Sequence, residues 1–136
     1  MRWLLVSLVL VPFVAVGCGS EKIYGPRDVE RAFASHGLRL IKIRSQPLPT
    51  FTTLRRPRHI TVFLYRNHRD ADAAVQGKEG RILSAHGIPY TASSSIFIFR
   101  KRNVVAIDVT PNISKTPNVG RAVGTPGFVE AVEGLP

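Results

Sequence analysis

Apolar and polar positions beyond Gly25 recur in short blocks whose spacing predicts helices and strands in turn. Val29, Ala32 and Phe33 fall at i, i+3, i+4 and share one helical face. Pro26 opens that helix, because its missing N–H costs nothing at the first helical position. Asp28 and Glu30 suit the positive end of the helix dipole, and His36-Gly37 closes it with a residue tolerant of the left-handed cap. Leu38 to Arg44 is β-compatible, with a slip in alternation at Leu40-Ile41 that predicts a bulge or burial on both faces. Ser45 to Pro57 holds Pro47, Pro49 and Pro57 and reads as a long extended loop. Ile60 to Tyr65 is apolar almost throughout and predicts a buried strand.

In the second half, Asn67 predicts an N-cap, with Asp70 placed as in a capping box and Ala71, Ala74 and Val75 on one face. Gly77 and Gly80 are expected to interrupt the helix before a further helical turn from Arg81 to His86. Ser95 to Arg100 and Asn103 to Thr110 predict a β-hairpin, with Asn103 taking positive φ in the tight basic turn. Pro111 to Pro117 reads as a loop and Val119 to Val123 as a helical turn. Thr125-Pro126 supplies an N-cap and an N1 proline for a last helix through Phe128, Val129 and Val132 to Gly134. Arg31 to Leu38 and Arg81 to Ile88 echo one another around a His-Gly pair, which suggests helix–strand–strand written twice. The dipole and the αL cap favour His-Gly at any helix end, so the echo also has a purely local explanation. Together these elements predict an α+β two-layer sandwich: an antiparallel sheet of four or five strands with helices on one face.

The chain ahead of this domain has a different pattern. Trp3 to Val16 is apolar apart from Ser7, follows only Met1-Arg2, and leads into Ala15-Val16-Gly17-Cys18-Gly19-Ser20. That is a basic n-region, a hydrophobic h-region and small residues at a cleavage point. The run is shorter than the ~20 apolar residues a spanning helix needs and contains Pro12. Cys18, the sole cysteine, stands just past the cleavage point, and the segment resembles the lipobox of bacterial lipoproteins. Ala15 departs from the leucine usual three positions before the cysteine. The resemblance implies a signal peptide over 1–17, diacylglycerol and palmitate-type acylation on Cys18, a lipidated tether over 18–25 and a single domain over 26–136. It places the protein on the extracytoplasmic face of the cell membrane or of an outer membrane. Gly19 lacks the aspartate that, in the two-membrane pattern of that family, retains lipoproteins at the inner membrane. With Cys18 acylated, no thiol remains to form a disulfide.

Composition changes this picture in one respect. The formal charge is +10, and it is unevenly spread. No acidic residue occurs between Arg31 and Arg69, while Arg39, Lys42, Arg44, Arg55, Arg56, Arg58 and Arg66 all do. A second basic run is Arg100-Lys101-Arg102. In an extracytoplasmic protein such charge suggests anionic lipid or cell-wall polymer rather than nucleic acid. Arg55, Arg56 and Arg58, in the proline-rich stretch, are the candidate contacts; a plain solubilising surface is the simpler account of the same residues.

Candidate chemistry is sparse. His36, His59, His68 and His86 show no metal-ligand spacing with one another or with an acid. Asp70 and Asp72 read as helix N-terminal charges, and Asp108 is expected on the solvent face of an alternating strand. No nucleophile elbow, S-x-x-K pair or glycine-rich phosphate loop occurs. Beside the membrane-anchored lipoprotein that the lipobox resemblance implies, these residues predict a protein that is not an enzyme, needs no cofactor or metal, and acts as a binding or interaction module in the cell envelope. An envelope structural protein and a hydrolase with an unrecognised site are the alternatives. The oligomeric state is open.

Overall fold

The computed structural model describes residues 21–53, 59–76, 79–90, 94–111 and 124–136. The elements run α1 (Pro26–Ser35), β1 (Leu40–Ile43), β2 (Thr50–Thr53), β3 (His59–Leu64), α2 (His68–Val75), α3 (Glu79–Ala85), β4 (Ser94–Lys101), β5 (Val104–Pro111) and α4 (Phe128–Glu133). The strands form one five-stranded sheet in the order β1-β2-β3-β5-β4, antiparallel at every pairing. The α+β class and the antiparallel sheet are those expected.

The helices, however, divide between two faces rather than sharing one. Ile60, Val62 and Leu64 of β3 and Val104 and Ala106 of β5 pack with Val29 and Phe33 of α1 and Phe128 and Val132 of α4. Phe63 of β3 and Val105, Ile107 and Val109 of β5 pack instead with Ala71 of α2 and Ile82 and Leu83 of α3. Side chains alternate along a strand, so odd and even positions must meet different layers. The central strands β3 and β5 are apolar at both parities, so each face needs its own cover.

Local signals explain most of the element ends. The Asp28 carboxylate accepts the Gly25 N–H at 2.9 Å, and Asn67 Oδ1 accepts the Asp70 N–H at 2.9 Å, which is the cap expected there. Both His-Gly corners close alike: Leu38 N–H donates to Phe33 O and Ile88 N–H to Leu83 O, each at 2.9 Å, with positive φ at Gly37 and Gly87. The echo ends at that corner. Three strands follow α1 and two follow α3, so the order is not a helix–strand–strand repeat.

Four other expectations are corrected. The proline-rich stretch contains a strand, β2, because Phe51 pairs opposite Val62 and is fully buried against the α1 layer. The helix from His68 does break before a second one, but that second helix starts at Glu79, so Gly80 lies inside α3 rather than ahead of it. In the β4–β5 turn Arg102 carries the positive φ, at 53°, and Asn103 is buried. Helix α4 is capped by Gly127, at φ 81°, two residues beyond Thr125. An L side chain at Gly127 would be strained by that φ, and its Cβ would meet His36 O at 2.9 Å. The turn expected at Val119 to Val123 lies outside the described residues.

Candidate functional site

Register fixes two ends of the sheet. Leu64 pairs with Val104 and Lys101 with Val104, while Ile43 pairs with Thr50 beside Phe63, so these residues share one end. Leu40, Thr53, His59, Val109 and Ser94 lie at the other. An extended strand rises about 3.3 Å per residue, so Leu40 and Ile43 sit at opposite ends of β1, about 10 Å apart.

The N-terminal segment docks at the first end. Tyr24 is buried, and its N–H donates to Asn103 Oδ1 at 2.8 Å, across 79 positions of sequence. Asn103 Nδ2 donates in return to Tyr24 O at 3.0 Å and to Tyr65 O at 3.1 Å. Tyr65 N–H donates to Asn103 O at 2.8 Å. The buried amide thus satisfies three backbone groups that would otherwise be orphaned in the interior. Over the Tyr24 ring lie Lys22 Nζ at 5.8 Å from the centroid and the Arg102 guanidinium at 5.4 Å, both within cation–π reach. Arg102 also donates to Lys22 O at 3.2 Å. Ile23, which lies between Lys22 and Tyr24 in sequence, is 57 % exposed.

Neighbouring charges are partly engaged. Glu21 pairs with His68, and Arg100 Nε sits 2.6 Å from Asp72 Oδ1. Lys101 Nζ is drawn into the fold, donating to Glu133 O at 2.5 Å and Leu135 O at 2.7 Å. Lys22, Arg44 and Arg66 are exposed. Among the described residues no carboxylate lies within ion-pair distance of them or of Arg102. Lys42, Ile43, Arg44, Gln46, Pro47, Leu48 and Pro49 line an open concavity of about 510 Å³ at the β1–β2 turn of the same end.

Cys18 and Arg55, Arg56 and Arg58 lie outside the described residues. The residues that flank the three arginines, Thr53 and His59, stand at the end of the sheet opposite Tyr24.

Asp108 is not on a solvent face. It is fully buried in the α1–α4 layer, where its carboxylate accepts the Thr125 N–H at 2.5 Å and the Thr125 hydroxyl at 2.9 Å. Strand β5 is covered by the α1–α4 layer on one face and by the α2–α3 layer on the other, so neither face meets water. The acid ties the approach to α4 onto the sheet, and its two donors offset the cost of burying a charge. On the other face Tyr65 Oη lies 3.4 Å from His86 Nε2, and the His86 ring stacks on Phe63 at 4.0 Å between centroids. Burial raises the Tyr65 hydroxyl above its ordinary pKa and lowers His86 below its own. Asp108 and the Tyr65–His86 pair sit on different faces of the sheet, so they do not converge on one site. Among the described residues no three His, Cys, Asp or Glu side chains could hold one metal ion, and no helix is long and apolar enough to cross a membrane.

No family profile, curated protein or solved structure matches this chain.

The docked Tyr24 segment escapes sequence reasoning, because nothing local links residue 24 to residue 103. The one available signal was an asparagine directly after a basic turn, at a position where a buried amide reads the same as a turn residue.

Proposed function

We propose that this chain is a lipoprotein anchored through Cys18 on the extracytoplasmic face of a membrane, with its α+β domain serving as a non-enzymatic binding or interaction module. The observation that carries the reading is the docking of Tyr24 onto Asn103. Cys18 precedes Glu21 by three residues, so at no more than about 3.6 Å each it lies within about 11 Å of the fold. A domain that grips its own N-terminal segment this soon after an anchor holds one fixed end towards the bilayer. Two or three acyl chains, at about 0.8 kcal/mol per buried methylene, give durable attachment where one chain gives marginal binding.

A structural role in the envelope, on anionic lipid or wall polymer, is the second reading. It draws support from the cations at that same end that meet no carboxylate among the described residues.

The test is Cys18→Ala in the full chain. The wild type is expected in the membrane fraction as a processed, detergent-partitioning species, and the variant as a longer precursor that is neither acylated nor cut after Gly17. A variant processed and partitioned like the wild type would overturn the reading.

A further inference from the structure

We propose that the end of the sheet gripping Tyr24 is a docking face for anionic phospholipid headgroups, with Lys22, Arg44, Arg66 and Arg102 meeting the phosphates and Ile23 entering the interface. The proposal rests on the Cys18 anchor argued above.

Three observations converge on this end. The first is position: Tyr24 is fixed to Asn103, so the segment leading back to Cys18 leaves from here. The second is charge. Lys22 and Arg102 stack on one ring, Arg66 follows Tyr65, and Arg44 follows β1 at the Ile43–Thr50 pair. The strands from β1 to β5 are spaced by about 4.8 Å, so the strand ends next to these cations span roughly 15 Å. Glu21, the acid closest to the tether, is occupied by His68, and Asp70 accepts from Asn67 Nδ2 at 3.2 Å. The third is Ile23, an exposed apolar side chain next to Lys22 in sequence, since an exposed apolar residue beside a basic one suits the boundary between headgroup and acyl chain.

The competing contact is the opposite end, where Thr53 and His59 flank Arg55, Arg56 and Arg58 and where Arg39 is exposed. The two ends cannot both meet the bilayer when the sheet stands on its tethered end, so orientation decides between them.

Tryptophan reporters read that orientation. The only native tryptophan is Trp3, in the leader. Ser45→Trp and Arg39→Trp place reporters beyond opposite ends of β1, both far in sequence from Cys18, so proximity to lipid cannot come from the tether alone. Each full-length lipidated protein is reconstituted into vesicles of phosphatidylglycerol or phosphatidylcholine carrying brominated acyl chains. The expected result is strong quenching of Ser45→Trp in the anionic vesicles only, little quenching of Arg39→Trp, and loss of the difference as salt rises past the point where the Debye length is about 8 Å. Adding Lys22→Gln and Arg66→Gln should lower the contacting population by roughly fivefold per residue. Should that variant fail to fold, the salt response of the unaltered background decides alone. Equal quenching of both reporters, or stronger quenching of Arg39→Trp, overturns the proposal, and the second outcome assigns the contact to the end that holds Thr53 and His59. The mass of the same sample separates the two claims: a chain without acyl groups refutes the anchor, whereas an acylated chain with the wrong quenching pattern refutes only the docking face.

Discussion

Asn103→Ala tests the join between tether and domain most severely. The side chain makes three hydrogen bonds of 2.8, 3.0 and 3.1 Å from a position 1 % exposed. Removing it strands the Tyr24 N–H, the Tyr24 carbonyl and the Tyr65 carbonyl, and each buried unsatisfied group costs about 1–3 kcal/mol. Three such groups would consume much of the roughly 5–15 kcal/mol that holds a domain folded. The cheaper response is for the segment ahead of α1 to peel off, which returns the two Tyr24 groups to water. What remains is one orphaned carbonyl and the lost burial of Tyr24, together about 3–4 kcal/mol. Urea unfolding of wild type and variant gives that difference, and amide exchange locates it. The Tyr24 N–H should lose all protection in Asn103→Ala, while β3 amides lose only what the global change requires. A loss below about 1 kcal/mol, within the reach of an ordinary surface substitution, with Tyr24 still protected would refute the clamp.

Other substitutions test the remaining ties. Asp108→Ala should cost about 2–4 kcal/mol in urea unfolding, because its two bonds are charge-assisted and buried, and Thr125→Ala should cost less, since the backbone N–H bond survives. Gly127→Ala should destabilise by at least about 1–2 kcal/mol through its left-handed φ alone, and by more once the contact with His36 O is included. Because burial holds His86 below its unfolded value of 6.5, the native state resists its protonation. Its contribution is therefore complete above pH 6.5 and is lost as pH falls through the lower folded value. Thermal melts should show stability dropping on acidification from neutral pH, and His86→Phe should flatten that drop.

The elements visible in the sequence are those set by local chemistry. The Asn67 cap, the Pro26 helix start and the two His-Gly corners each depend on residues within one turn. Strand β2 was hidden because Thr50 to Thr53 holds a single apolar residue among threonines beside two prolines, and only pairing with β3 makes it a strand. Asp108 was misplaced for a related reason. Alternation separates the two faces of a strand but cannot reveal that a central strand is covered on both, as β5 is by the α1–α4 and α2–α3 layers. The same blindness hid the second helical face. As for the site, the uneven positive charge was legible, but its division between two ends of the sheet follows from antiparallel pairing and so needs the register. The Tyr24–Asn103 clamp is a contact of high sequence separation between a tether and a turn, and no local pattern encodes it.

The mass of the mature N-terminus decides whether the chain carries its membrane anchor. Protein purified from its own membrane should begin at Cys18, carry diacylglycerol on the sulfur with or without a further acyl chain on the amine, and lack residues 1–17. An intact Met1 terminus, or an unmodified Cys18, would contradict it.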